Sequence, residues 1–388
     1  MYKNYMYRLY PSRSQKKRLE AILETCRRFY NDLLAERRDA WTNERRSVSK
    51  TEQLRRVKEL KASNPYAKDI HSHVFQVVVT DLDKAFQAFF RRVRRGENPG
   101  YPRFKGKNRF SSFGLKEYGN GFKIDGRRLR LHGVGRVAVR WHRPLPSTPK
   151  AVRIIRKSDG WYAMFTCEVE PQVLPPTGRE VGIDVGVASL ATTSDGEKFA
   201  NPKWYRAGQK KLRRLQRSLS RKQVGGKNRE KARQAVARHH LHVSRQRQDA
   251  LNKIIHKLIQ EYDFVAVEDL NIQGMVKNRR LSKSIMDAGW GYFKERLFSK
   301  AAEAGRIVVE VNPANTSQTC SSCGQLFPEK ISLSVRTVRC SCGLELDRDV
   351  NAAINILRLG RSRWASTPAA AGVAQEAAGF SPSGASRS

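Results

Sequence analysis

An α/β domain preceded by a β-rich unit is the architecture this sequence predicts, and three observations predict it. Short alternating apolar runs separated by turns fill residues 121–170. A linker marked by Pro171, Pro175, Pro176 and Gly178 follows them. Beyond it, strand and helix patterns alternate, which is the order that builds an α/β sheet. With 388 residues and 39% hydrophobic composition, the chain is long enough for two or three domains with real cores.

Residues 5–9 alternate as a strand, and Pro11-Ser12 then opens a helix with apolar positions 19, 22, 23, 26, 29, 30, 33 and 34. A second helix is expected from about Tyr66 to Arg95, carrying Val74, Val77, Val78, Leu82, Ala85, Phe86 and Phe89 on one stripe. Its basic end, Arg91-Arg92-Val93-Arg94-Arg95, suits the negative pole of the helix dipole and is compatible with phosphate contact. From Gly96 to about Phe113 the chain is irregular, with Tyr101, Phe104, Phe110 and Phe113 set among Arg103, Lys105, Lys107 and Arg109. Such a segment either stacks bases and holds phosphates or is an aromatic-anchored loop. The strands of 121–170 make a β-rich unit, a small barrel in one reading, that pairs with the first strand.

The second domain opens with strand Val181–Val185 and a hairpin through Leu190–Thr193 that turns near Asp195-Gly196. Between Arg206 and Asp249 stand 15 Lys or Arg and two acids, with a break at Gly225-Gly226, which predicts a hairpin of two basic helices facing nucleic acid. His239, His240 and His242 point to different sides of a helix and are read as polar or cationic surface. Strand Phe264–Val267, a helix from about Gly291 to Ala304, strand Ile307–Val311 and helix Asn351–Leu359 complete the pattern. Past Gly360 an Ala/Ser/Gly-rich tail is expected to be disordered.

The charge balance of 75 Lys+Arg against 36 Asp+Glu, a net +39, calls for a polyanionic partner and points to nucleic acid. No segment reaches the run of roughly 20 apolar residues that spans a bilayer, so no membrane role is expected. The N-terminus lacks the apolar core and small-residue cleavage site of a signal peptide, giving a cytoplasmic expectation. Of six cysteines, Cys26 and Cys167 sit in apolar-periodic stretches as small buried hydrophobes, and the other four fall within 23 positions.

Those four are Cys320-x2-Cys323 and, sixteen residues on, Cys340-x-Cys342. Two thiolate pairs on separate knuckles close a tetrahedral zinc shell, although the second pair is one residue tighter than the usual gap; redox chemistry is the rival reading. Three carboxylates form the other constellation. Asp184 lies within the strand of VGIDVG, Glu268 ends the run Phe264–Val267, and Asp349 stands at a helix start. Each alone is an ordinary turn or cap residue. Together, on two strands and a helix of one sheet domain, they can converge on a cleft and need Mg2+, a pair of ions being the arrangement suited to phosphodiester hydrolysis.

GIDVG at 182–186, VEDL at 267–270, the SQTCSSCG and RCSCG knuckles and DRDVNAAIN at 347–355 resemble the TnpB family, relatives of type V CRISPR effectors and Fanzor nucleases. RLYPS at 8–12, Phe75-Gln76 in the helix ending AFQAFF, GYPRFKGK at 100–107 and KNRRLSKSIMDAGWGYF at 277–293 extend the resemblance to nearly the whole chain except the tail. The resemblance implies an RNase H-like (RuvC) nuclease domain with a zinc-ribbon insertion, preceded by an oligonucleotide-binding-like β-barrel interrupted by a helical recognition unit. On this chain it implies a barrel of 1–10 and 96–175, a helical unit of 11–95, a nuclease domain of 180–314 and 343–360 with its basic hairpin at 206–260, and a zinc ribbon of 315–342. Asp184, Glu268 and Asp349 would be the RuvC carboxylates, with Asp347 a neighbour, because the matching aspartate lies two residues before Asn.

The partners implied are a guide RNA from the transposon end and a double-stranded DNA target, recognised by base pairing beside a short motif read by the protein. Gln76, Arg103, Phe104, Lys105 and Lys107 are the implied nucleic-acid contacts. A monomeric protein in a nucleoid-associated prokaryotic ribonucleoprotein is expected. The alternative is an RNA-guided DNA-binding repressor that does not cut. It is expected to lack one or more of the three acids, all of which are present. A strand-transferring transposase would order its acids Asp, Asp, Glu, and a plain zinc-ribbon RNA-binding protein would leave the acids unexplained.

Overall fold

The computed structural model describes residues 1–329, 331–332 and 335–367. It contains two compact units, Met1–Glu170 and the chain from Pro171 onward. No described helix is long and apolar enough to cross a membrane.

The first unit runs β1 (Tyr2–Tyr10), α1 (Arg13–Glu44), α2 (Lys50–Ser63), α3 (Pro65–Lys68) and α4 (Ser72–Arg94). Seven strands follow: β2 (Ser112–Leu115), β3 (Glu117–Tyr118), β4 (Gly121–Asp125), β5 (Arg128–Leu131), β6 (Gly135–Arg140), β7 (Ala151–Lys157) and β8 (Gly160–Glu168). They form one sheet ordered β2-β7-β8-β1-β6-β5-β4-β3, in which β1 lies antiparallel between β8 and β6. The N-terminal strand thus pairs with the β-rich unit. Its alternation puts Tyr5, Tyr7 and Leu9 in the core.

Helix α1 starts with a capping box, Gln15 N–H donating to Ser12 Oγ at 3.3 Å and Ser12 N–H to Gln15 Oε1 at 3.0 Å. Its stripe from Leu19 to Leu34 is buried with α4 and the sheet in a single hydrophobic cluster that includes Cys26 and Cys167. Two elements differ from expectation. The helix expected from Tyr66 is interrupted, because Asp69 ends α3 and His71 caps α4 by accepting from His73 N–H. Helix α2 was not foreseen: of its 14 residues only Gln53 and Val57 are buried, so it has no apolar stripe to read.

In the second unit come β9 (Glu180–Asp184), β10 (Ser189–Thr193), β11 (Lys198–Ala200), α5 (Trp204–Ser220) and α6 (Lys227–Glu261). Then follow β12 (Phe264–Glu268), α7 (Ile272–Met275), α8 (Ser282–Ala288), α9 (Trp290–Ala304), β13 (Ile307–Val311), β14 (Thr337–Arg339), β15 (Glu345–Asp347) and α10 (Arg348–Ala365). The sheet order is β11-β10-β9-β12-β13; β12 is parallel to β9 and β13, while β10 is antiparallel to β9 and β11. Strand β12 is buried on both faces. Val265 and Val267 join the cluster of α6 and α9, whereas Phe264 and Ala266 join Ile356 of α10.

Helix α5 joins α6 through Gly225-Gly226, as the basic hairpin predicts. His239 departs from its surface reading: it is buried, and its Nε2 lies 3.0 Å from the Gly208 carbonyl of α5. A second departure is α10, which begins at Arg348 and runs past Gly360 to Ala365. Gly360 does not end the helix; it lets α10 approach the sheet, since a Cβ there would sit 2.5 Å from the Ala266 methyl. The rest of the tail read as disordered, 368–388, lies outside the described residues.

Candidate active site and metal centre

Pairing of Ile183 with Val267 in the parallel β9–β12 ladder sets Asp184 and Glu268 side by side at the carboxyl ends of their strands. Helix α10 supplies Asp349 in its first turn and crosses β9 closely. At Gly182 a Cβ would press on the Ala353 carbonyl and lie 2.6 Å from Leu357 N, so only glycine permits that approach two residues before Asp184. The acidic neighbours are otherwise engaged. Asp269 pairs with Lys294 at 2.6 Å. Asp347 pairs with Lys198 at 2.5 Å and caps α10, accepting from the N–H groups of Asp349 and Val350.

Burial first, then the charges of Glu268 and Asp349, push the Asp184 carboxyl up to about 8, while Arg348 acts in the opposite direction. Burial also raises Glu268, against the hydrogen bond from Thr316. Asp349 is buried and accepts from Arg348 at 3.0 Å, with Arg336 3.9 Å from its other oxygen. A carboxyl desolvated beside two other carboxylates, as Asp184 is, favours a divalent cation, and oxygen donors suit a hard one.

The four cysteines gather with their sulfurs all within 4.8 Å of one another. Cys320 Sγ lies 3.7 Å from Cys342 Sγ, and Cys323 Sγ lies 3.6 Å from Cys340 Sγ. Zinc–sulfur bonds of about 2.3 Å in a tetrahedron place sulfurs about 3.8 Å apart, so the set fits zinc despite the tightened second pair. Gly324 and Gly343, both at positive φ, turn the knuckles back, their N–H groups donating to the carbonyls of Cys320 and Cys340. The backbone N–H of Cys342 lowers the Cys340 thiol, while the neighbouring thiols raise Cys323, so the four titrate as one set. The second knuckle is the loop of the β14–β15 hairpin, and β15 leads directly into α10 and Asp349.

Asn351 and Asn355, one turn apart and fully buried on α10, tie that helix to the first knuckle. Asn351 Nδ2 donates to the Thr319 carbonyl at 2.8 Å and its Oδ1 accepts from Ser321 N–H; Asn355 Nδ2 donates to the carbonyls of Thr316 and Thr319. In the sequence Asn351 served only to register the motif that selects Asp349, and Asn355 was given no role. The available signal was a pair of amides at i, i+4 set among the apolar residues Val350, Ala352, Ala353, Ile354 and Ile356.

In the first unit, Arg103, Phe104 and Lys107 are exposed on one loop. Lys105 anchors it: its N–H donates to Asn31 Oδ1 at 2.8 Å, and its carbonyl accepts from Arg27 and Asn31. Gln76 stands on α4 with Lys116 Nζ donating to its side-chain oxygen at 3.2 Å. Arg38 lies over the Phe104 ring at 5.2 Å, and Tyr101 packs edge-on against Phe89 of α4.

Three family models match the chain: a "Probable transposase" model of the IS605 OrfB type over 164–279, a Cas12f1-like TNB domain over 290–356, and the helix-turn-helix domain of the same OrfB group over 1–46. A Streptomyces pristinaespiralis protein is 35% identical over 92% of this chain and 89% of its own length, and bears the name of a candidate RNA-guided DNA endonuclease. The chain belongs to the TnpB family. InsQ of Escherichia coli K12, similarly named, is 30% identical to this TnpB protein over 92% of each chain. A solved structure of CasPhi-2 (Cas12j) bound to crRNA and phosphorothioate-DNA aligns with a TM-score of 0.49 at 11% identity, covering 93% of the TnpB chain and 91% of that chain.

Proposed function

We propose that this TnpB protein is an RNA-guided DNA endonuclease that hydrolyses target phosphodiesters beside a short transposon-associated motif, with Asp184, Glu268 and Asp349 as its Mg2+-binding acids. The observation that carries the reading is the convergence of these acids from β9, β12 and α10, close enough for the charges of two to shift the third. The names of the relatives and the surplus of 39 positive charges support it.

The mixed five-stranded sheet with α10 across one face fits an RNase H-like RuvC domain, and the first unit's sheet fits an oligonucleotide-binding-like barrel carrying a helical recognition segment. Residues 315–342 would hold a structural zinc through Cys320, Cys323, Cys340 and Cys342. When bound, a pair of magnesium ions supplies the charge that activates water and stabilises the leaving oxygen. The chain's own contribution is to hold its three acids at one place and ionise them in that field. The parallel ladder keeps Asp184 beside Glu268, and the capped start of α10 presents Asp349. Guide RNA from the transposon end would read double-stranded target DNA by pairing. Gln76, Arg103, Phe104, Lys105 and Lys107 would contact nucleic acid, the cations at phosphates and Phe104 against a base.

The test is magnesium-dependent cleavage of a plasmid carrying a randomised motif beside a chosen target, by protein co-expressed with its transposon-end RNA. Guide-dependent cutting that is lost in Asp184→Ala is the expected result. RNA-dependent DNA binding without cutting by the wild type would replace the endonuclease by a repressor.

A further inference from the structure

Thr316 lies on the approach to the first cysteine knuckle and is 4% exposed. Its Oγ1 is 2.5 Å from Glu268 Oε1 and 3.2 Å from the Pro313 carbonyl. A hydroxyl has one proton to give, and the shorter contact, in the range of a charge-assisted O–H···O bond, assigns it to the carboxylate. On its other side, the Thr316 carbonyl accepts from Asn355 Nδ2 at 2.9 Å. The same amide nitrogen reaches the Thr319 carbonyl at 2.7 Å, and Arg358 donates to Asn355 Oδ1 at 3.2 Å, so the Asn355 amide is locked from both ends. Asn351 repeats the arrangement one turn earlier, next to the turn that bears Asp349.

We propose that Thr316 is a positioning residue of the nuclease centre: its hydroxyl orients Glu268 while its carbonyl, through Asn355, seats the helix that carries Asp349. The proposal rests on the reading of Glu268 and Asp349 as magnesium-binding acids. One residue then couples the strand-borne acid to the helix-borne one and ties both to the cysteine knuckle. Holding Glu268 by one oxygen leaves the other to face a cation and removes the rotamer freedom that a free glutamate would lose on binding it. The carbonyl half of the link survives any side-chain change at 316, so the hydroxyl can be tested without unseating α10.

The experiment compares wild type, Thr316→Val, Thr316→Ser and Glu268→Gln, each as full-length protein with its co-expressed RNA. Guide-dependent plasmid cleavage is followed as magnesium is titrated, with zinc content, RNA binding and thermal midpoint measured alongside. Val keeps the shape and removes the donor; Ser restores it. The expected result is a half-saturating magnesium concentration raised roughly tenfold in Thr316→Val, with zinc content and RNA binding unchanged and near-wild-type behaviour in Thr316→Ser. A wild-type magnesium titration in Thr316→Val overturns the proposal, as does equal loss of zinc or thermal stability in the Val and Ser variants, which would make the residue merely structural. Cleavage by Glu268→Gln at the wild-type rate would instead remove the underlying reading of the acid, and the proposal with it.

Discussion

Asp184 carries a strong electrostatic signature. Its carboxyl moves from an ordinary 3.8 to about 8 because it is buried beside Glu268 and Asp349. Between those values the unfolded chain has released its proton and the folded chain still holds it, so stability falls as pH rises from about 4 to about 8 and levels off beyond. The raised Glu268 adds to the fall in the same direction. Thermal unfolding without added magnesium should therefore decline with pH more steeply in wild type than in Asp184→Asn, which has no such proton; parallel slopes would contradict the burial argument. At this scale the sequence was legible where chemistry is dense. Motif and spacing single out the acids and cysteines that the structure draws together, while Asp269 and Asp347 each pair with a lysine. The hydrogen bonds of Thr316, Asn351 and Asn355 were not legible, because they join segments that only folding brings together. His239 misled for a related reason. A histidine among basic residues reads as surface until the facing helix offers a carbonyl.

Elements with a strong apolar period, α1, α9, β12 and β13, could be placed from the sequence, whereas α2 buries too little to leave a pattern. Its capping box, Ser49 with Glu52, was the usable signal. The end of α10 was misplaced because glycine normally stops a helix, while Gly360 is there for close packing against β12. Gly182 does the same at β9, and this makes it the element-scale test. Gly182→Ala would force α10 from the strand beside the Ala353 carbonyl, costing about 2 kcal/mol or more, as overpacked cores do. Hydrogen exchange should speed up at the amides of β9 and α10 together, with DNA cleavage falling as Asp349 moves. Unchanged protection in both elements would mean that the close approach is not what seats the helix.

For the whole molecule, a net charge of +39 must be neutralised in use, and the long basic helices α5 and α6 carry much of it. Composition made the polyanionic partner legible, and motif order made the family legible. Composition could not tell that the helices of 11–95 share one core with the strands, because shared burial is a tertiary property. The central claim is that three particular acids make one centre for cutting DNA. It is tested most directly by measuring guide-dependent cleavage for Asp184→Asn, Glu268→Gln and Asp349→Asn beside Asp269→Asn and Asp347→Asn, the last of which keeps a competent helix cap. The account predicts that the first three fall to background while the two neighbours stay within about threefold of wild type, as expected for partly exposed ion pairs. Cleavage surviving in any of the three, or lost equally in the neighbours, would contradict it.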